Sequence, residues 1–378
     1  MTHHGHVVAL KALGSFTYGP DSPDASAPVV ASFAKSGAFP MQASTLFDLA
    51  SLTKVVATTS AAMLLYERGL LDLEAPVAAI VPEFISDVEK DSRRREVTVR
   101  MLLAHCSGLP AYEKLFLKAR TRDALLHSAF TMPLAANPGA RADYSDIGFI
   151  ILGIALERLA GESLDRYAQH EIFGPLGMTN TTFNPPAEIR DRIPPTADER
   201  PCGADTPVRK TPTSREPSRI SQQATQQPTR STFRQRIIQG EVQDENASVL
   251  GGVAAHAGLF STSRDLAQFA HSMLNPGNPT FRPQTVALFT RRESMPADSS
   301  RALGWDTPSV PSQAGKYFSP AAFGHLGYTG TSLWIDPIRQ LSITLLTNRT
   351  WPDCANHAIK QVRPRLHDAV VEALENPA

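Results

Sequence analysis

The stretch Ser51-Leu-Thr-Lys54 opens the clearest helical pattern in the chain, which continues to Gly69. Residues three apart on a helix share a face, so the lysine would lie about one turn from the serine. Unpaired N–H groups at a helix N-terminus favour developing negative charge on the serine hydroxyl. Lys54 could take the hydroxyl proton or hold that charge. The alternative is an N-cap serine followed by a surface lysine.

A second Ser-x-x-Lys pattern, Ser32-Phe-Ala-Lys35, lies just before a loop that contains glycine and proline. In such a loop the serine and the lysine have no fixed spatial relation. We therefore predict Ser51 as the nucleophile and Lys54 as its catalytic partner.

Tyr144-Ser-Asp146 is the second candidate element. Of seven tyrosines, only Tyr144 has Asn or Asp two residues later, and it precedes a helical pattern that is closed by Gly161. A tyrosinate, or a tyrosine coupled to Lys54, could act as a general base. The alternative is a tyrosine that packs at the edge of the core, with Asp146 as an N-cap in either case.

The third candidate element is His325-Leu-Gly-Tyr-Thr-Gly-Thr-Ser332, which runs into a predicted strand. Its glycines would let the backbone approach another backbone or a ligand closely. An edge strand beside the nucleophile could offer a backbone N–H to an oxyanion. His325 could supply a proton or a positive charge, although a structural histidine is the alternative.

These three motifs, in this order, resemble those of the serine β-lactamase and penicillin-binding protein superfamily, on the branch of class C-like esterases and DD-peptidases. Other stretches are also similar to this superfamily: residues 97–110, Pro138-Gly139, Phe173-Gly-Pro-Leu-Gly-Met178 and Gly258-Leu-Phe-Ser-Thr262. The resemblance implies an α/β fold of the α+β type, with an antiparallel sheet, flanking terminal helices and an inserted, mostly helical lobe. It covers most of residues 5–375.

The resemblance also implies roles for individual residues. Ser51 would be acylated, and Lys54 and Tyr144 would share the proton transfer, with His325 as a further catalytic residue. The oxyanion donors would be the backbone amides of Ser51 and Tyr328. The remaining motif positions are predicted to bind substrate: Asp146, Gly327 and Thr329.

Two departures from the superfamily pattern affect the predicted substrate. Asp146 stands where β-lactamases usually have asparagine, and His325-Leu326 stands where they have Lys-Thr. A cationic anchor and a hydroxyl for a substrate carboxylate are then missing, and an acid would repel that carboxylate. We therefore expect a carboxylesterase acting on neutral esters. The alternatives are a β-lactamase or DD-carboxypeptidase acting on amides, and a non-catalytic penicillin-binding type of sensor.

Composition excludes several other classes of protein. The 37 basic and 37 acidic side chains balance, which argues against a nucleic-acid partner. Three scattered cysteines form no CxxC pair, so we predict no metal site and no cofactor. No apolar run is long enough to span a bilayer. The partner is expected to be a small-molecule ester or amide, and the oligomeric state is left open.

We predict one β-lactamase-related domain over residues 1–378. Its α/β lobe would comprise residues 1–70 and 245–378, and its helical lobe residues 71–244, with a flexible insertion at 201–231. The first strand is expected at residues 7–13, and a late hairpin at residues 331–347. A closing helix would bury one apolar stripe: Val362, Leu366, Val370 and Leu374.

The N-terminus bears on the expected compartment. The first residues lack the basic-then-apolar pattern of a signal peptide, so the chain as written is expected to be cytoplasmic. The superfamily usually has a helix before its first strand. We therefore expect either an upstream start, with a periplasmic or exported protein, or a less stable protein with an exposed groove along its closing helix.

Overall fold

The computed structural model describes residues 1–17, 39–86, 91–200, 232–276, 280–352 and 354–375. The Ser32–Lys35 pattern and the predicted insertion at 201–231 lie outside these residues. The division into two lobes is not tested and stays a prediction.

The largest sheet has five antiparallel strands in the order β2-β1-β10-β9-β8. A three-stranded sheet has the order β3-β7-β4, and β5 pairs with β6. The strands are β1 (Thr2–His3), β2 (His6–Val7), β3 (Phe47–Asp48), β4 (Thr182–Phe183), β5 (Pro195–Asp198), β6 (Ile237–Gln239), β7 (Leu259–Ser261), β8 (Phe323–Leu326), β9 (Ser332–Asp336) and β10 (Leu341–Leu345).

Ten α-helices lie within the described residues. They are α1 (Ser60–Glu67), α2 (Val77–Ile80), α3 (Val99–Leu103), α4 (Arg122–Phe130), α5 (Asp146–Ala160), α6 (Leu164–Ala168), α7 (Glu245–Val249), α8 (Ser263–Leu274), α9 (Pro283–Thr290) and α10 (Ile359–Glu375). The mixture of helices with an antiparallel sheet confirms the predicted fold class.

The five-stranded sheet is covered on both faces, as the alternating side chains of strand β9, which lies between β10 and β8, show. Leu333 and Ile335 belong to the large core that also contains helix α8. Trp334, between them, points to the opposite face and packs with Val371 of helix α10. The predicted hairpin is confirmed, since Leu341 of β10 pairs with Asp336 of β9.

The segment that carries the predicted nucleophile begins with a 3₁₀ turn at Ala50–Leu52 and continues as a π-helix at Lys54–Thr59. Helix α1 follows and ends beside Gly69, as predicted. In a 3₁₀ turn, side chains three apart eclipse one another. This local geometry therefore brings the side chain at 54 directly beside the one at 51.

The first strand was predicted wrongly. The chain enters the sheet at Thr2, turns at His4-Gly5 and pairs back only as far as Val7. Residues 8–13 are not strand, and Leu13 is 81% exposed. The apolar run predicts a strand, but its large apolar side chains are exposed and no core of the described residues packs against them.

The closing helix forms as predicted, but its buried stripe is shifted by one residue. Its inner face is formed by Ile359, Arg363, His367 and Val371. Val362, from the predicted stripe, is 46% exposed. Val370 and Leu374 are only partly buried, and Met1 packs against the same small core.

Candidate active site

The backbone before the predicted nucleophile is held in a strained conformation. Ala50 has a φ of +48°, a left-handed value that costs a non-glycine residue about 1 to 3 kcal/mol. The Asp48 carboxylate holds it, since it accepts hydrogen bonds from the Ala50 N–H (2.8 Å) and the Gln243 N–H (2.7 Å). Burial raises the pKa of Asp48 to about 6, against the effect of these two bonds. Strain of this kind is common where a side chain must be aimed at a ligand.

Ser51 and Lys54 are in direct contact, as the sequence predicts. Lys54 Nζ donates hydrogen bonds to Ser51 Oγ (3.0 Å), to Asp146 Oδ1 (2.6 Å) and to the His256 carbonyl oxygen (3.0 Å). An ammonium group has three donors and no acceptor, so all three of its protons are engaged. The lysine side chain is completely buried, which contradicts the alternative of a surface lysine.

Lys54 is charged in this arrangement. Burial alone would lower the pKa of Lys54, but the Asp146 carboxylate and Tyr144 outweigh it, and the net pKa is raised. A protonated lysine cannot accept the Ser51 proton. Of the two roles predicted for Lys54, the geometry therefore favours holding charge over accepting the proton.

Tyr144 in its phenolate form is placed to receive the Ser51 proton. Its ring lies 4.9 Å from Lys54 Nζ. Burial raises the pKa of Tyr144, the Lys54 charge opposes this rise and Asp146 adds to it. Hydrogen bonding with Lys54 and Ser51 favours the phenolate form of Tyr144 and acts to lower its pKa. The ring is held between His105, at 4.6 Å between ring centroids, and the guanidinium of Arg301 at 5.2 Å.

Asp146 is not the N-cap of helix α5. The Ser145 hydroxyl caps the helix by accepting the Gly148 N–H at 3.0 Å. The Asp146 carboxylate is free to pair with Lys54, and its side chain is 16% exposed. Gly161 closes this helix in the left-handed conformation, as predicted. Because Lys54 compensates the carboxylate, the expected repulsion of a substrate carboxylate is weakened.

Replacing Asp146 by asparagine should move the acidic limb of the kcat/KM pH profile to lower pH. The carboxylate raises the pKa of both Lys54 and Tyr144. Without its charge, both groups lose their protons at lower pH, by about 1 unit. The measurement is the pH dependence of aryl ester hydrolysis, with Asp146→Glu as the control that keeps the charge. An unchanged limb would show that the loss of the Tyr144 proton does not limit the rate.

His325 is not a source of positive charge, which corrects that prediction. Burial, with Lys54 and then Arg301 nearby, lowers its pKa well below the usual value. Its Nδ1 lies 2.9 Å from the Leu326 carbonyl oxygen and must carry the proton, because a carbonyl only accepts. Nε2 therefore presents a lone pair, and it has no partner among the described residues. His325 can accept a hydrogen bond at the pocket wall.

Two backbone amides are available for an oxyanion. Within the described part of the chain, neither the Ser51 N–H nor the Tyr328 N–H donates to a protein acceptor. The turn that carries Tyr328 is tied to the nucleophile segment, since the Thr331 hydroxyl donates to the Leu49 carbonyl at 2.9 Å. A Cβ atom on Gly327 would lie 2.5 Å from that same carbonyl oxygen. The glycine thus permits the close approach.

Thr329 has a structural contact and does not line the pocket. Its hydroxyl is completely buried and donates to the Asp48 carbonyl oxygen at 2.8 Å. This geometry contradicts a substrate-binding role for the hydroxyl. Thr329 contributes instead to holding strand β8 against the nucleophile turn.

The candidate residues meet at one wall of a cavity of about 1060 Å³. Ser51, Tyr144, Asp146 and the His325–Tyr328 segment all line it. Its other walls carry aromatic side chains from distant parts of the chain: Tyr112, Phe116 and Phe233. The cavity is large enough for a bulky acyl group.

Two contributors to the site were not found in the sequence. Arg301 lines the pocket, forms a long ion pair with Asp306 (3.8 Å) and has no other side-chain acceptor among the described residues. His256 holds Lys54 through its backbone carbonyl, while its ring contacts Asp244. No sequence motif marks Arg301.

A family model described as Beta-lactamase matches residues 1–363. The chain belongs to the beta-lactamase family. A relative from Salmonella agona (strain SL483) named "Putative D-alanyl-D-alanine carboxypeptidase" is 33% identical over 333 residues, which cover 82% of this chain and 71% of that protein. The predicted resemblance is thereby confirmed, and the protein is a beta-lactamase-family serine hydrolase.

Two solved structures share the fold of this chain. EstCE1, a hydrolase with promiscuous acyltransferase activity, superposes with a TM-score of 0.63 at 22% identity, covering 87% of each chain. A class C beta-lactamase from Rhodobacter sphaeroides gives a TM-score of 0.57 at 20% identity, covering 88% of each chain. At these identities the likeness concerns the fold alone.

Two features are absent from the described residues. No helix among them is long and apolar enough to cross a membrane. No group of three or more histidine, cysteine, aspartate or glutamate side chains among them could hold a metal ion.

Proposed function

We propose that this beta-lactamase-family protein is a carboxylesterase that acts through an acyl-enzyme on Ser51. The observation that carries the proposal is the hydrogen bond from Lys54 to Ser51, with Tyr144 beside them, at the wall of a large cavity. A nucleophile within hydrogen-bond reach of its base, which is oriented by a third group, is the arrangement that covalent catalysis needs.

The proposed proton path follows from the contacts. Ser51 Oγ attacks the ester carbonyl and its proton passes to the phenolate form of Tyr144, which the charge of Lys54 stabilises before the transfer. The backbone N–H groups of Ser51 and Tyr328 receive the oxyanion. The proton on Tyr144 then passes to the departing alcohol, and water releases the acid from Ser51 by the reverse sequence.

The charge of the pocket supports neutral esters as substrates. Among the described residues, its lining carries six basic and six acidic side chains: Lys114, Arg120, Arg301, Arg349, Lys360 and Arg363, with Asp146, Asp198, Glu199, Asp244, Glu245 and Asp306. These charges balance, so the net charge of the described lining does not favour an ionic substrate. At the position of the superfamily's threonine hydroxyl, Leu326 offers an apolar contact.

The substrate class is tested by comparing p-nitrophenyl acetate with the cephalosporin nitrocefin. We expect a higher kcat/KM for the aryl ester, with both activities lost in Ser51→Ala. The kcat/KM should be higher for the ester than for the β-lactam amide because the pocket lacks the Lys-Thr pair. A higher kcat/KM for nitrocefin would reverse the assignment.

A DD-carboxypeptidase is the second candidate, and Arg301 favours it. A mostly buried guanidinium with a single long ion pair retains donors for a substrate carboxylate. The name of the Salmonella agona relative points the same way. Release of D-alanine from diacetyl-L-Lys-D-Ala-D-Ala, measured against hydrolysis of the aryl acetate, distinguishes the two activities. A sensor would instead acylate once and show no turnover of either.

A further inference from the structure

Arg363 lies behind the turn that carries the proposed oxyanion donor. It is on the inner face of helix α10, and only 6% of it is exposed. Its Nη2 donates hydrogen bonds to the Gly327 carbonyl oxygen (2.6 Å) and to the Thr331 carbonyl oxygen (2.8 Å). A buried cation is thus bound to both ends of the short turn between β8 and β9.

The Gly327 carbonyl and the Tyr328 N–H belong to the same planar peptide group. A hydrogen bond to the carbonyl of a peptide polarises that peptide and strengthens its N–H as a donor. A charged donor has a larger effect than a neutral one. The Gly327 carbonyl also accepts the Gly330 N–H at 3.0 Å, so both of its lone pairs are engaged and the plane of the peptide is fixed.

We propose that Arg363 is a positioning residue that orients and polarises the Gly327–Tyr328 peptide, so that the Tyr328 N–H binds the oxyanion more strongly. The inference rests on the proposed acyl-enzyme at Ser51. Arg363 acts through the peptide and need not touch the substrate.

Arginine suits this place because its guanidinium remains charged when it is buried. Burial, followed by the nearby charge of Arg349, lowers the pKa of Arg363 to about 10. This value still leaves the group protonated at neutral pH. The cation is therefore present over the pH range in which an esterase is assayed.

Arg349 provides a matched control. Its Nε donates to the Tyr328 carbonyl oxygen at 2.7 Å, which belongs to the next peptide, whose N–H is that of Thr329. Removing Arg349 loosens the same turn and removes a guanidinium, but leaves the Gly327–Tyr328 peptide bound to Arg363. The control separates polarisation of the oxyanion donor from general support of the turn.

The experiment uses the cinnamoyl-enzyme formed from p-nitrophenyl trans-cinnamate with ¹³C at the ester carbonyl. Raman difference spectra report the stretching frequency of the acyl carbonyl, which falls as its hydrogen bonds strengthen. In Arg363→Met we expect a higher frequency than in the wild type and a lower kcat with little change in KM. The loss should be about 10- to 100-fold, less than the ~10²–10³ for removing an oxyanion donor outright.

Three further variants complete the test. Arg363→Lys, which keeps a charged donor, should retain more kcat than Arg363→Met. Arg349→Met should leave the carbonyl frequency at the wild-type value. If Arg363→Met does not fold, as judged by circular dichroism, Arg363→Gln replaces it with the same expected shift.

The outcomes separate this inference from the proposed function. An unchanged carbonyl frequency in the Arg363 variant, or an equal shift in Arg349→Met, would overturn the role of Arg363 while leaving the acyl-enzyme intact. Equal losses of kcat in Arg363→Lys and Arg363→Met would also overturn it. If intact-mass analysis of the wild type finds no cinnamoyl group on Ser51, both the inference and the proposed function fail.

Discussion

Covalent labelling of the protein by a fluorophosphonate should disappear in Ser51→Ala. The reagent requires a hydroxyl that can lose its proton as it attacks, and the Ser51 hydroxyl has both Lys54 and Tyr144 as partners. Ester hydrolysis should fall by about 10³- to 10⁶-fold, the range expected when a nucleophile is lost and binding remains. The measurements are intact mass after labelling and steady-state kinetics.

The control for this prediction is Ser32→Ala, which removes the serine of the other Ser-x-x-Lys pattern. It should label like the wild type. Intact labelling of Ser51→Ala would instead remove the whole proposed mechanism, including the role of the oxyanion donors.

Lys54→Ala and Tyr144→Phe should each lower kcat/KM by about 10²- to 10⁴-fold, the usual contribution of general acid–base catalysis. In the double variant the combined loss should be smaller than the product of the two single losses. The reason is that the two side chains serve one proton path, in which Lys54 stabilises the phenolate of Tyr144. A double-mutant cycle on an aryl ester measures the coupling.

A buried partner complicates the Lys54 variant, because Asp146 would lose its counter-charge. Breaking such a pair typically costs about 3 to 5 kcal/mol of stability. The cycle should therefore be repeated in the Asp146→Asn background, where no charge is left unpaired. Losses that multiply fully in both backgrounds would argue against a shared proton path.

The catalytic contacts could be predicted because each element lies in a regular local pattern. Ser51 and Lys54 are three residues apart at the start of a helix, where the spacing alone brings the side chains together. Tyr144 precedes a strongly periodic helix. What could not be predicted is the protonation of these groups, since it depends on burial and on Asp146, 92 residues away in the chain.

Helix α8 illustrates where sequence patterns succeed for the fold. Its polar and apolar residues alternate with the helical period from Ser263 to Leu274, and these are the observed bounds of the helix. The late hairpin was predictable for a similar reason, because alternating strands are separated only by a short turn.

Helix α10 illustrates where sequence patterns fail. An apolar stripe predicts the buried face only when the neighbouring surface is also apolar. Here two inward positions are Arg363 and His367, whose polar atoms bind backbone carbonyls of the turn and of Gln313. These hydrogen bonds offset the cost of burying a polar side chain. The buried face of the helix is therefore shifted by one residue from its apolar stripe. Arg301 escaped prediction because a lone arginine in a loop has no periodicity.

The balance of charges around the pocket also affects how a substrate arrives. A chain with no formal net charge, and a cavity whose acidic and basic side chains are equal in number, projects little field beyond about one Debye length, roughly 8 Å in physiological salt. Encounter is therefore governed by diffusion and by the shape of the opening, and not by electrostatic steering. Selection among substrates then takes place after entry, through contacts made at close range inside the cavity.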